Sequence, residues 1–316
     1  MKDSFAFAAG GVRALENSLL TRAFFFTLAD ADEGERRRLL ADRGFTGFEK
    51  SADPDEALSG RMEAVYEELL TYLPDGSILD FCLLPNDYHN LKVALKGLIR
   101  GGERKSLYRR PALYDPALLR EPLSAKDWDA LPPFLREDAR EGYEILTQTG
   151  NGQQLDLELD RRCLLAVLEA GKKAGDLARA YTEKFVLYTD LRVALRLSRQ
   201  TPGEALIRAA LAPVPGLDLG DLARRAAEGE EAVFALIRTC LDLPEDTDAA
   251  GLEKAMEDDL MALISRAKFA AEGPDLPVAY YLARETELKN VRILMSAANA
   301  GRSRDAIRER MRETYA

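Results

Sequence analysis

The chain has 316 residues, 47% of them apolar and 31% charged, with a net charge of −10. That composition belongs to a folded globular protein with a sizeable core, and the length allows two or three domains. The negative charge opposes non-specific binding to nucleic acid or anionic lipid. The longest apolar run, Ala23 to Ala29 with Thr27 inside it, falls far short of the ~20 residues that a bilayer-spanning helix needs.

Met1-Lys2-Asp3-Ser4 brings an acid immediately before Phe5, and no signal-peptide core of the usual length follows, so cytoplasmic residence is expected. Cys82, Cys163 and Cys240 are odd in number, far apart and set in apolar sequence, which suits reduced, buried thiols.

Val12, Leu15, Leu19 and Leu20 lie at helical spacing and predict an amphipathic first helix. Thr21 can cap a second, carrying Phe24, Phe25, Phe26 and Leu28, and the polar stretch Asp30 to Gly34 interrupts it. A third helix, Glu35 to Asp42, ends at Gly44. Asp53-Pro54 opens a long helix with Met62, Val65, Tyr66, Leu69, Leu70 and Leu73 on one face, closed by a turn at Pro74-Asp75-Gly76. Pro85 precedes Asn86-Asp87, which reads as the N-cap of a helix running to Gly101-Gly102.

Pro111, Pro116 and Pro122 make the next stretch linker-like, and Ser124 to Asp127 fits a loose capping box at the start of a second unit. Leu155 to Asp160 alternates like a strand but flows into Cys163 to Leu168, and is read as the front of a helix. A long helix from Asp176 is broken by Thr201-Pro202-Gly203. Pro213, Pro215 and Gly216 mark a second boundary. Acidic helices from Asp218 to Leu241 follow, then a loop at Pro244 to Thr247 and a helix from Gly251 to Ala271. Gly273-Pro274 and Pro277 punctuate the entry to the last long helix, and Asp305 to Glu313 forms a terminal one. No convincing β-sheet is present, and the fold class is all-α.

Three segments organise this plan. Tyr88 to Lys96, Tyr188 to Arg196 and Leu288 to Ser296 superimpose without a gap at a spacing of 100 residues. A period of that length makes each repeat a small domain. The expectation is three similar helical domains, 1–112, 113–214 and 215–316, in a pseudo-threefold arrangement. Leu91, Ala94, Leu95 and Leu98, with Leu191, Ala194 and Leu195, and Val291, Leu294, Met295 and Ala298, form the apolar stripe of each copy, a core face. Asn90, Asp190 and Asn290 align.

Lys92 with Lys96, and Arg192 with Arg196, put two bases on one helix edge, while the third copy keeps Arg292. Such bases can pair with acids and lock helices together, with Tyr88 and Tyr188 stacked one turn before them. They can equally face a shared central surface that receives an acidic partner. Residues 92 to 110 contain Lys92, Lys96, Arg100, Arg104, Lys105, Arg109 and Arg110 against Glu103, whereas residues 217 to 259 carry thirteen acids against four bases. That asymmetry fits oppositely charged contacts on different faces, or ordinary solvated helix surfaces.

Catalytic chemistry is sparse. His89 is the only histidine, so one chain cannot assemble a multi-histidine metal site, and its place at a helix start suggests a surface or capping role. There is no phosphate-binding loop motif, and Gly150-Asn151-Gly152 lacks both the third glycine and a preceding strand. Asp30 to Gly34 puts glycine where a calcium loop needs its third ligand. No catalytic residue, cofactor site or metal site is assigned.

Pro277 to Leu294, followed by Gly301 and Ile307-Arg308, resembles the signature of the C subunits of V-type (A-type) ATP synthases, relatives of the d subunits of vacuolar ATPases. Val12-Arg13 with Leu19-Leu20, and Asp87-Tyr88 with Asn90-Leu91-Lys92, agree with it, although Ala8 to Gly11 replaces a more polar segment. The resemblance implies a non-catalytic rotor component built as a funnel of three helical domains. It would join the central stalk subunits to the ring of membrane proteolipid subunits, on the cytoplasmic side, without spanning the membrane. Lys92, Lys96, Arg192, Arg196 and Arg292 are then candidate interface or domain-locking residues, and Arg100, Arg104, Lys105, Arg109 and Arg110 candidate contacts for the ring. The rival expectation is a free-standing helical adaptor that binds a protein or peptide in a central groove.

Overall fold

The computed structural model describes residues 4–45, 54–102, 105–200 and 203–316, and all regular structure among them is helical. The predicted break at Thr201-Pro202 lies outside the described residues. The N-terminal helices are α1 (Phe5–Glu16), α2 (Arg22–Asp30), α3 (Glu33–Ala41) and α4 (Pro54–Leu70). The middle of the chain forms α5 (Asp80–Arg100), α6 (Arg120–Ala125), α7 (Pro133–Thr149), α8 (Gly152–Lys173), α9 (Asp176–Ser198) and α10 (Glu204–Ala210). The C-terminal part forms α11 (Leu219–Glu228), α12 (Glu230–Leu241), α13 (Ala249–Ile264), α14 (Asp275–Asn299) and α15 (Arg304–Arg310). No described helix is long and apolar enough to cross a membrane.

The caps explain many boundaries. The Thr21 hydroxyl accepts from the Phe24 N–H at the start of α2, the Asp32 carboxylate accepts from Glu35 N–H at the start of α3, and Asp218 and Asp248 do the same for α11 and α13. Leu155 to Asp160 is helical, as its continuation into an apolar run requires.

Other boundaries differ from expectation. α1 begins at Phe5 and stops at Glu16, so Leu19 and Leu20 are buried in the loop that follows, not on the helix. α5 starts five residues before Pro85, which lies inside it. Burying Phe81, Leu83 and Leu84 stabilises that first turn by about 1.5–3 kcal/mol each, enough to outweigh the ~3 kcal/mol that an internal proline costs. Asn86 and Asp87 therefore cap nothing. Ser124 to Asp127 does not open a helix either: it closes α6, with Lys126 in the left-handed region at φ +57° and its N–H turned back to Leu123 and Pro122. Cys82 and Cys163 are buried, but Cys240, on the outer face of α12, is exposed.

The chain divides into two compact units. One comprises Met1–Ile78, Ala174–Tyr181 and Ile237–Ala316, and the other Leu79–Lys173 and Thr182–Leu236. In the first, α14 is the central helix, with α1, α2, α4, α13 and α15 against it. Its run from Leu276 to Ala283 is buried all round, including Tyr280 and Tyr281. In the second, α5 packs along α8, and α7 contacts both. Gly142 of α7 is what lets these helices approach: a Cβ there would meet Leu95 Cδ1 at 2.8 Å and Leu155 Cδ1 at 3.0 Å.

Candidate functional site

The three aligned segments lie on α5, α9 and α14, and in each the aligned Asn or Asp is fully buried. The reason is common to all three. After each helix and the short helical piece that follows it comes a non-helical segment whose backbone groups have no ladder to join, and the buried side chain supplies the missing partners. Asn90 donates from Nδ2 to the Arg109 carbonyl at 2.9 Å and accepts from the Arg109 N–H at 2.7 Å. Asn290 treats Arg312 the same way, at 3.1 and 2.9 Å. Asp190 accepts the Ala212 N–H at 3.2 Å on each carboxylate oxygen. Ala212 and Arg312 stand 100 residues apart, so the repeat includes the segment that is held.

One turn earlier, the acids at positions 87 and 287 do related work. Asp87 accepts from Leu113 and Tyr114 N–H at 2.9 Å each, and burial pushes its carboxyl up to about 6 against the pull of those two bonds. Glu287 instead reaches back along the chain to the Leu20 N–H at 2.6 Å and pairs with Arg284 at 2.6 Å, both side chains being buried. Arg284 also donates to Tyr280 Oη and to Ser18, so one buried cation and one anion fasten the loop after α1 to α14. Burial pushes Asp190 up to about 7, with only the Ala212 N–H pulling it down.

The predicted bases are mostly engaged. Lys92 pairs with Asp160, and Lys96 with Asp156 at 2.5 Å, a two-rung ladder between α5 and α8. In the other unit Lys289 pairs with Glu257 at 2.6 Å. Arg192 is half-buried and Arg292 exposed, and neither is free of partners, whereas Arg196 is exposed on the edge of α9. Tyr88 does not stack on Lys92; its hydroxyl donates to Asp138, which also receives Arg162. His89 sits in the middle of α5, half-buried, with Nε2 2.9 Å from the Leu107 carbonyl, and burial followed by the Arg109 charge lowers its pKa.

Of the basic stretch, Lys105, Arg109 and Arg110 are exposed, with Arg110 2.6 Å from Asp115. Arg104 and the Arg100 side chain lie outside the described residues. Among the described residues no group of three or more His, Cys, Asp or Glu side chains is placed to hold a metal ion.

The profile of the ATP synthase (C/AC39) subunit matches residues 8–310. The chain belongs to that family. It is similar to the C subunit of the V-type sodium ATPase of Enterococcus hirae, 24% identical over 283 residues that cover 86% of this chain and 85% of that protein. It is also similar to the C subunit of the V-type ATP synthase of Thermus thermophilus, 27% identical over 331 aligned positions that cover 98% of each. The chain is thus a subunit of a V/A-type ATPase, and not the catalytic one.

For a member of this family the geometry amounts to a set of braces. The Asn/Asp positions are visible in the sequence as an alignment, but their job is not, because it depends on backbone about twenty residues downstream. The Arg284–Glu287 pair leaves a fainter signal: two opposite charges three residues apart, at helical spacing, directly after the apolar run Val278 to Ala283.

Proposed function

We propose that this chain is the central rotor subunit that joins the stalk of a V/A-type ATPase to its membrane proteolipid ring and passes torque between them. The observation that carries the reading is membership of the ATP synthase (C/AC39) subunit family across residues 8–310. The braces support it. A part that transmits torque must resist shear between its helices, and every repeated helix is tied to its return segment through a buried side chain. Three helical domains, 1–112, 113–214 and 215–316, set in a pseudo-threefold cup on the cytoplasmic side, would share that load over several contacts.

Arg192, Arg196 and Arg292, half-buried or exposed on α9 and α14, are proposed to face the stalk, while Lys92 and Lys96 pair with Asp160 and Asp156. Lys105, Arg109 and Arg110, with Arg100 and Arg104, are proposed to face the ring.

Affinity purification of this chain from solubilised native membranes tests the role. Catalytic, stalk and proteolipid subunits should come with it, and recovery of the chain without them would overturn the reading. Arg196→Glu and Arg292→Glu should lower recovery of the stalk subunits while leaving the thermal midpoint of the isolated chain within a few degrees.

A further inference from the structure

In the unit that contains both chain ends, a cleft of roughly 650 Å³ opens between the α2–α3 turn and the α14–α15 turn. Its charged lining is Arg36, Arg37, Arg302 and Arg304 against the single acid Glu33. Glu33 is already taken by Arg37, at 2.9 Å. The neighbouring Arg308 lies 2.6 Å from Asp30 and is answered there.

The other three arginines have no carboxylate partner among the described residues. Arg36 is only 6% exposed, and its guanidinium donates from Nε to the Leu28 carbonyl at 3.0 Å and from Nη2 to the Ala31 carbonyl at 2.7 Å. No carboxylate among the described residues forms an ion pair with it, and burial lowers its pKa against the more distant charges of Glu33 and Asp32. Arg302 and Arg304 are exposed and likewise make no ion pair among the described residues. In a chain whose net charge is −10, a buried cation with carbonyl partners only, beside two unpaired guanidiniums, is costly in isolation. An anion in the cleft removes that cost.

We propose that this cleft binds a small ligand carrying two or more phosphate groups. Planar guanidinium forks match phosphate oxygens bidentately, and several of them converging favour a multiply charged ligand over a single carboxylate. The volume suits a small molecule. The remaining lining side chains are Ala, Ile and Asn, none aromatic, so nothing there stacks on a nucleobase and the phosphates carry the recognition. The net negative charge of the chain opposes its settling on an anionic bilayer, which favours a soluble ligand over a phosphorylated lipid headgroup.

Calorimetric titration of the full chain with inorganic tripolyphosphate at physiological salt tests this. Saturable binding of one equivalent is expected, weakened at least about tenfold in Arg302→Gln/Arg304→Gln, whose side chains hold no part of the fold. Lys173→Gln/Arg208→Gln, which removes the same charge elsewhere, should bind as the parent does. Arg36→Lys, which keeps the charge but loses the carbonyl bonds that fix the guanidinium at the cleft, should weaken binding even if its melting point falls. Sedimentation with phosphatidylcholine vesicles containing a bisphosphorylated inositol lipid should leave the protein in the supernatant. Absence of saturable tripolyphosphate binding, equal binding by the two double variants, or preferential binding to those vesicles would each overturn the proposal.

Discussion

The segment after α9 and the segment after α14 are held at the same distance along the chain by side chains that differ in one group. Asn290 gives Arg312 both a donor and an acceptor, so the amide and the backbone pair are fully matched. Asp190 can only accept while ionised, and both of its oxygens converge on one N–H of Ala212. A neutral Asp190 would regain the donor that its counterpart has. Burial therefore pushes its carboxyl up to about 7, and the same brace is neutral in one region and charge-dependent in the other. Sequence repetition preserved the contact, not its electrostatics.

α14 also carries a charge pair that α9 lacks. Arg284 and Glu287 correspond to Lys184 and Leu187, and this difference should produce the largest measurable effect. Removing one partner leaves the other without its counter-ion at about 1–4% exposure. Glu287→Ala or Arg284→Ala should each cost about 3–5 kcal/mol, and the double replacement Arg284→Met/Glu287→Leu should cost less than either alone. Urea unfolding of the three variants decides it. Additive losses would mean the two charges are answered separately, by Ser18 and Leu20, and not by each other.

The brace itself is compared by Asp190→Asn. The folded-state value of Asp190, about 7, lies above its ordinary 3.8, so between those values the folded chain keeps a proton that the unfolded chain has released. Stability consequently falls as pH rises from about 4 to about 7, and stays lower above. Asp190→Asn removes that fall. It should match the parent near pH 4 and exceed it at pH 8 by on the order of 2–4 kcal/mol. Asn290→Asp should do the reverse, losing stability at pH 8 and less at pH 5. Part of the pH slope should survive in Asp190→Asn, because Asp87, raised to about 6, contributes with the same sign. Equal unfolding midpoints of Asp190→Asn and parent at pH 8 would show that the Asp190 environment is wetter than its burial indicates.

The all-helical class, the order of the long helices and the aligned segments could be read from periodicity and punctuation, because local spacing determines them. Family membership was legible in the run from Pro277 to Leu294. What could not be read is what depends on distant backbone. Asp87 looked like a cap because it follows Pro85, yet its partners are Leu113 and Tyr114. Ser124 looked like a helix start, yet Lys126 turns the chain back on α6. The arginine cleft was invisible for the same reason: Arg36 and Arg302 are brought together by the folding of the chain ends, and nothing local marks either.

The smallest effect separates a brace from a surface ladder. Lys92–Asp160 and Lys96–Asp156 also join elements far apart in sequence, but their side chains keep 17–37% exposure, so water competes for both charges. Lys92→Ala and Lys96→Ala should each cost only about 0.2–1 kcal/mol. That loss should shrink further in 1 M salt, where screening acts over about 3 Å. Asn90→Ala, on the same helix two residues before Lys92, should cost more, about 1–3 kcal/mol, and should not respond to salt, because it removes two uncharged, part-buried bonds to the Arg109 backbone. Thermal melts at low and high salt distinguish the two. If Lys92→Ala proved as costly as Asn90→Ala and equally insensitive to salt, the ladder would be part of the buried framework and not a surface pair.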